Sequence, residues 1–113
     1  MAILQREKGA MQMFKETTGL QMVYRLRDDG LEEVLGEAVV SESAGEVRLH
    51  GIFVRQGHRG TGYGGALMHA VLGDVENRRV TLCTGFGNIG FFKRFGFVVT
   101  EVSESLVSME RNP

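Results

Sequence analysis

Between Val54 and Ala66 the chain reads V-R-Q-G-H-R-G-T-G-Y-G-G-A, a β-branched stretch that gives way to glycine-punctuated backbone just before an apolar pattern of helical spacing. Four glycines fall within positions 60–65 (Gly60, Gly62, Gly64 and Gly65), more than one tight turn requires. Bare main chain lets a ligand approach closely, and the first N–H groups of a following helix have no partner inside the helix. Those donors and the helix dipole favour an anion. Arg59 adds a guanidinium at the rim. A diphosphate is the anion such a cradle suits best, each charge-assisted amide bond contributing roughly 1.5–3 kcal/mol.

Spacing narrows the choice of diphosphate ligand. A P-loop is excluded because no Gly-Lys-Ser/Thr follows. The dinucleotide fingerprint G-x-G-x-x-G is met by Gly60, Gly62 and Gly65 and again by Gly85, Gly87 and Gly90, so the pattern discriminates little. A dinucleotide fold also wants an acidic residue about 20 positions on, at the end of a second strand. The segment Val80-Thr81-Leu82-Cys83-Thr84 offers none.

The third pattern, R-x-x-G-x-G/A, is Arg59-Gly60-Thr61-Gly62-Tyr63-Gly64, with Val54 five positions upstream. It resembles the acetyl-CoA pyrophosphate loop of the GNAT N-acetyltransferase superfamily. A second segment, N-I-G-F-F-K-R-F-G-F from Asn88 to Phe97, is similar to that superfamily's N-x-x-A-x-x-(F/Y)-Y-x-x-x-G-F element. Together with the strands between and before them, the resemblance covers roughly residues 20–110. The resemblance implies an α/β fold, a central mixed and mostly antiparallel sheet flanked by helices with an abbreviated N-terminus, whose central strands splay apart after Val54. Acetyl-CoA, as co-substrate, would lie in the splay, with no metal. Ile52 and Val54 would contact its pantetheine arm through main chain, the loop Arg59, Gly60, Thr61, Gly62, Tyr63 and Gly64 would hold its pyrophosphate, and Asn88 would reach it by side chain.

Acetyl transfer to an amine needs the amine neutral, hence a base or a water chain, and donors for the oxyanion and the departing thiolate. Many superfamily members carry Glu six residues before the position of Val54; here Arg48 stands there. His50 resembles one of the paired histidines of arylalkylamine N-acetyltransferases and is the candidate base, expected on the same strand face as Arg48, Ile52 and Val54. Imidazoles titrate near neutral pH, which suits the task. Glu37 and Glu46 are weaker alternatives. The superfamily's general acid, a tyrosine four residues before the glycine of the second motif, is replaced by Phe92, which has no proton to give. Tyr24 and Tyr63 are the remaining phenols. The thiolate of CoA can also take its proton from water.

The elements that must position these groups follow from periodicity. Leu20, Met22, Tyr24 and Leu26 alternate with Gln21, Val23, Arg25 and Arg27 before a turn at Asp28-Asp29-Gly30, which predicts a half-buried strand and hairpin. Strands follow at about 33–41 and 46–54, the latter feeding the glycine loop. Tyr63, Ala66, Leu67, Ala70 and Val71 recur on one face of a helix expected over about 62–76, and Arg79 to Thr84 reads as a strand. Asn88 is a suitable N-cap, Gly96 a suitable C′ residue and Phe97 its apolar partner, bracketing a helix over about 89–95; strands near 97–102 and 105–110 finish the chain. Met11, Met13 and Phe14 fit either one helical turn or a strand.

At 113 residues with 42% hydrophobic content the chain reads as one domain, 1–113, with one core. A net charge of −1 without basic runs argues against a nucleic-acid partner. The absence of a long apolar run or signal-like start argues against a membrane and for the cytoplasm. Cys83, the single cysteine, reads as an inert core thiol. The resulting expectation is an acetyl-CoA-dependent N-acetyltransferase acting on a primary amine, small or protein-borne; the alternative is a catalytically weak or inactive CoA-binding module. With about 19 residues before Leu20, the acceptor side is an open groove, a surface for a large acceptor, or a wall completed by a second subunit of a homodimer, and the residues leave all three open.

Overall fold

The computed structural model describes residues 2–6, 9–28, 33–57, 62–75 and 77–113, with side chains from residue 11 onward. Its strands are β1 (Ala2–Arg6), β2 (Gly9–Thr18), β3 (Gln21–Asp28), β4 (Val34–Ser43), β5 (Glu46–Val54), β6 (Arg79–Thr84), β7 (Val98–Val102) and β8 (Val107–Arg111). Helix α1 (Tyr63–Asp74) joins β5 to β6, and a 3₁₀ turn (Phe86–Asn88) leads into α2 (Ile89–Lys93) between β6 and β7. Among the described residues the strands form one sheet of order β1-β2-β3-β4-β5-β6-β8-β7. Neighbours are antiparallel except β5 and β6, which α1 connects in the crossover that parallel pairing requires. This is the mixed, mostly antiparallel sheet with helices that the motifs imply.

Period-2 patterning explains the meander of the first five strands. Met11 and Met13 on β2, Met22, Tyr24 and Leu26 on β3, and Ala38 and Val40 on β4 all point to one face and are buried. The N-terminal methionines therefore sit in a strand, not a helical turn. Leu20, expected on that buried face, instead occupies the β2–β3 turn beside Gly19 at φ +60° and is 69% exposed. The turn expected at Asp28-Asp29-Gly30 runs into residues 29–32, outside the described ones.

Helix α1 lies on the buried face, with Leu67, Met68 and Val71 fully shielded and Ala66 and Ala70 half-buried. Gly36 admits it: a Cβ there would lie 2.9 Å from Leu67 Cδ1 and 3.1 Å from the Phe53 carbonyl. At the far end of the helix Tyr24 donates to Asp74 Oδ2 at 2.7 Å, and Lys15 reaches the same oxygen at 3.1 Å. Burial opposes the charge on Asp74, but these two donors outweigh it and hold the carboxyl below its usual range. Burial first, and then Asp74, drive the Tyr24 hydroxyl well above an ordinary phenol. Helix α2 packs beside α1 through His69–Phe95 ring contact at 5.4 Å and closes at Gly96 (φ +89°). The amides of Gly96 and Phe97 return to the carbonyls of Lys93 and Phe92, a Schellman closure, and Phe97 packs on Phe92. Both helices occupy one side of the sheet, and no described helix covers the other. No described helix is long and apolar enough to cross a membrane.

Candidate functional site

Strands β5 and β6 pair only at Glu46–Arg79, Val47–Val80 and Arg48–Thr81, and then diverge. The parting begins at Arg48, six residues before the expected point at Val54. It opens a slot of about 670 Å³ lined by residues 49–54 of β5, Leu82, Cys83 and Thr84 of β6, Gly64 of α1, and Asn88, Phe91 and Phe92 around α2. From Leu49 to Val54, β5 therefore has a strand partner on its β4 side only. Its backbone groups on the slot side are left for a ligand.

A bulge decides which side chains meet in the slot. Val40 pairs with Leu49 and Val39 with Gly51, so His50 is an extra residue without a counterpart in β4. The alternation reverses there. Leu49, Ile52 and Val54 sit opposite Val40, Ala38 and Gly36 on the helix side, whereas Arg48, Gly51 and Phe53 sit opposite Ser41, Val39 and Glu37 on the bare side. His50 joins the bare side, its Nε2 2.6 Å from Ser41 Oγ. The expectation that His50 shares a face with Ile52 and Val54 is thus corrected. The apolar spacing Val47, Leu49, Ile52, Val54 already carried the skipped beat. Because residues of both faces line it, the slot passes through the sheet.

At its helix-side end stands the start of α1. Gly62 caps the helix at φ +87°, a conformation a side chain rarely adopts, and its carbonyl receives Ala66 N–H. Gly64 brings bare backbone against Phe91, to whose ring an added Cβ would approach within 3.4 Å. Tyr63 turns into the core. Arg59, Gly60 and Thr61 lie outside the described residues. Asn88 lines the slot but makes no side-chain cap to α2; its Nδ2 donates to Thr84 Oγ1 at 3.0 Å instead. Phe92 also lines the slot, buried and in ring contact with Phe91 and Phe97.

On the bare side, Cys83 is exposed, which overturns the core-thiol expectation. Its partner in the ladder is Ser108, whose hydroxyl lies 3.4 Å from Sγ, and Arg48 Nη2 lies 3.3 Å away. The hydrogen bond with Ser108, then that from Arg48, lower the thiol below its ordinary range. Alternation with buried Val80 and Leu82 was the signal for this placement. Of the other carboxylates considered, Glu37 is tied to Arg25 at 3.2 Å, while Glu46 accepts from Thr81 and Arg79 at the closed end of the β5–β6 pairing. Tyr24 is bound to Asp74, outside the slot lining. Thr84, Phe91 and Ser41 were not singled out from the sequence, and Cys83 was read there only as an inert core thiol. Among the described residues no three His, Cys, Asp or Glu side chains gather as metal ligands do.

A parted pair of parallel strands, with a glycine-started helix at one end of the opening and a second short helix flanking it, is the arrangement of the GNAT acetyltransferases. The acetyltransferase (GNAT) domain family matches residues 20–99, and the chain belongs to that family. Among solved structures, an acyl-CoA N-acyltransferase from Pseudomonas aeruginosa is similar at 25% identity and TM-score 0.73, over 83% of this chain and 69% of that one. Ard1 from Thermoplasma volcanium is 30% identical with TM-score 0.65, over 81% and 69%. The PaiA N-acetyltransferase from Thermoplasma acidophilum, in complex with coenzyme A, shares the fold at 15% identity and TM-score 0.73, over 82% of this chain and 61% of its own. Comparison with curated proteins gives no match.

Proposed function

We propose that this chain is a single-domain cytoplasmic enzyme that transfers an acetyl group from acetyl-CoA to an amine. The observation that carries the proposal is the slot through the sheet, which has a helix N-terminus at one end and His50 on the opposite face. In this reading Arg59, Gly60, Thr61, Gly62, Tyr63 and Gly64 hold the pyrophosphate, largely by main chain. Ile52 and Val54 offer backbone groups to the pantetheine arm, and Asn88 and Phe92 flank it. The thioester then comes to the bulge, where the acceptor arrives from the bare face.

The chemistry is a nucleophilic substitution at the thioester carbonyl. The amine nitrogen forms a C–N bond, the C–S bond breaks, and CoA leaves as thiolate. When His50 Nε2–H donates to Ser41, Nδ1 keeps its lone pair and takes the amine proton directly or through water. Phe92 supplies no proton to the thiolate, so solvent protonates it. Glu37 is the fallback base because it lies opposite Phe53 on the same face; Glu46 is remote from the opening.

Thermal-shift measurements with acetyl-CoA, CoA and NAD, followed by thiol release with an amine panel, test the proposal. Stabilisation by both CoA species but not NAD, with amine-dependent thiol release, is expected. Stabilisation without release from any amine would favour the second reading, a CoA-binding module without turnover, for which Phe92 in the tyrosine position is the supporting observation. Indifference to acetyl-CoA would overturn both.

A further inference from the structure

At the vertex of the slot, where the superfamily resemblance calls for a glutamate, the chain carries Arg48. It belongs to the last pair before β5 and β6 separate and projects to the bare face. Its guanidinium donates only to neutral groups, Thr81 Oγ1 at 3.3 Å and Cys83 Sγ at 3.3 Å, and makes no ion pair among the described residues. Five N–H donors in a fixed fork are far from exhausted by two long bonds. The carboxylates nearby on that face are held by other arginines: Glu37 by Arg25, and Glu46 and Glu110 by Arg79. Across the ladder, Glu101 pairs with Ser108, which pairs with Cys83, and its negative charge acts on that thiol. On the bare face, an arginine without a direct ion pair, linked to Glu46 only through the Thr81 hydroxyl, thus stands on one side of Cys83, and a carboxylate two strands away stands on the other. His50 lies two residues along the strand from Arg48.

We propose that Arg48 selects the acceptor, binding the carboxylate of an amine of the amino-acid class while the amine itself reaches the thioester beside His50. The inference rests on the acyltransferase reading and deepens it. A planar guanidinium meets a carboxylate through two parallel hydrogen bonds, and a carboxylate a few bonds from the amine spans the short step from Arg48 to the bulge. Simple alkylamines and polyamines offer the arginine nothing, and their excess positive charge faces an unpaired cation.

The test compares matched acceptors that differ only in the carboxylate: amino acids, their C-terminal amides and their decarboxylated amines, in the thiol-release assay with the full chain. Amino acids are expected to be favoured at least tenfold in kcat/KM, mostly through KM. In Arg48→Gln the preference should fall to within about threefold, and Arg48→Lys should keep part of it. Equal or better use of amides and amines by the native chain overturns the inference without any variant, as does a preference that survives in a folded Arg48→Gln protein. Where no acceptor turns over, calorimetric binding of the same pairs to the CoA-loaded protein is read instead, and equal or undetectable binding of acid and amide overturns it. Failure of acetyl-CoA itself to bind removes the acyltransferase reading and this inference together; binding without carboxylate discrimination removes this inference alone.

Discussion

Gly62→Val separates the ligand role of the glycine loop from its backbone role, because the structure supplies an internal control. Gly62 and Gly45 share a left-handed φ, +87° and +79°, and a Cβ at either meets nothing within 4 Å. A β-branched residue in this region costs about 1–3 kcal/mol wherever it stands. Both variants should therefore lose about 2 kcal/mol, a fall of several degrees in Tm for a domain of this size. Total stabilities of about 5–15 kcal/mol leave both folded at 25 °C. Only Gly62 borders the proposed pyrophosphate site. There the added side chain fills open space that the ligand needs and displaces it from the first amides of α1. Losing two charge-assisted amide bonds at about 1.5–3 kcal/mol each predicts at least a hundredfold weaker acetyl-CoA binding. Gly45→Val should bind normally. Differential scanning fluorimetry without ligand and calorimetric titration with acetyl-CoA measure the two effects. Equal affinities in folded Gly62→Val and Gly45→Val proteins would refute the assignment of the cradle.

Three further outcomes follow from the geometry. His50→Gln should reduce turnover by about 10²–10⁴ while leaving acetyl-CoA affinity within a few-fold, since the contacts proposed for the cofactor are main chain and the glycine loop; a rate within threefold of native across pH 6–9 would make His50 structural. Cys83, lowered by Ser108 and then by Arg48, should be alkylated by iodoacetamide at pH 7 faster than a cysteine peptide, more slowly after Ser108→Ala, and more slowly again under saturating CoA; no protection by CoA would place the thiol outside the ligand's path. Tyr24→Phe should cost about 1–2 kcal/mol at pH 7. Because the Asp74 pKa is depressed in the folded state, that increment is present above the ordinary carboxylate pKa and disappears as pH falls through the folded value, so urea melts of native and variant protein should converge only in acid below the ordinary carboxylate range.

The sequence was most legible where period alone fixes structure. β5 and β6 run over the expected 46–54 and 79–84, because flanking turns and alternating apolar residues leave little choice. Helix α1 ends at Asp74, two residues short of expectation, where Tyr24 and Lys15 anchor its last carboxylate. The bulge at His50 was missed because one inserted residue changes no composition, only the phase of the residues after it. That phase decides which side chains face the acceptor. Cys83 departs from the general tendency of cysteine to be buried because its position in β6, out of phase with buried Val80 and Leu82, puts it on the bare face. Asn88 bonds to Thr84, a tertiary choice between two acceptors that helix-capping preferences do not contain.

The brief pairing of β5 with β6 also bears on how the chain acquires its shape. From β1 to β5 every strand pairs with its sequence neighbour, so that half of the sheet assembles from hairpins with short loops. The other half, β6, β8 and β7, joins it through three residue pairs, reinforced at the edge where Arg79 reaches Glu46 from 33 residues away. Loop closure of that length carries an entropic cost that local hairpins avoid. The seam that makes the opening is therefore expected to close late in folding and to part early in native-state fluctuations. Amide exchange in β6 should be faster than in β3 and β4, and a molecule bridging the seam should slow it.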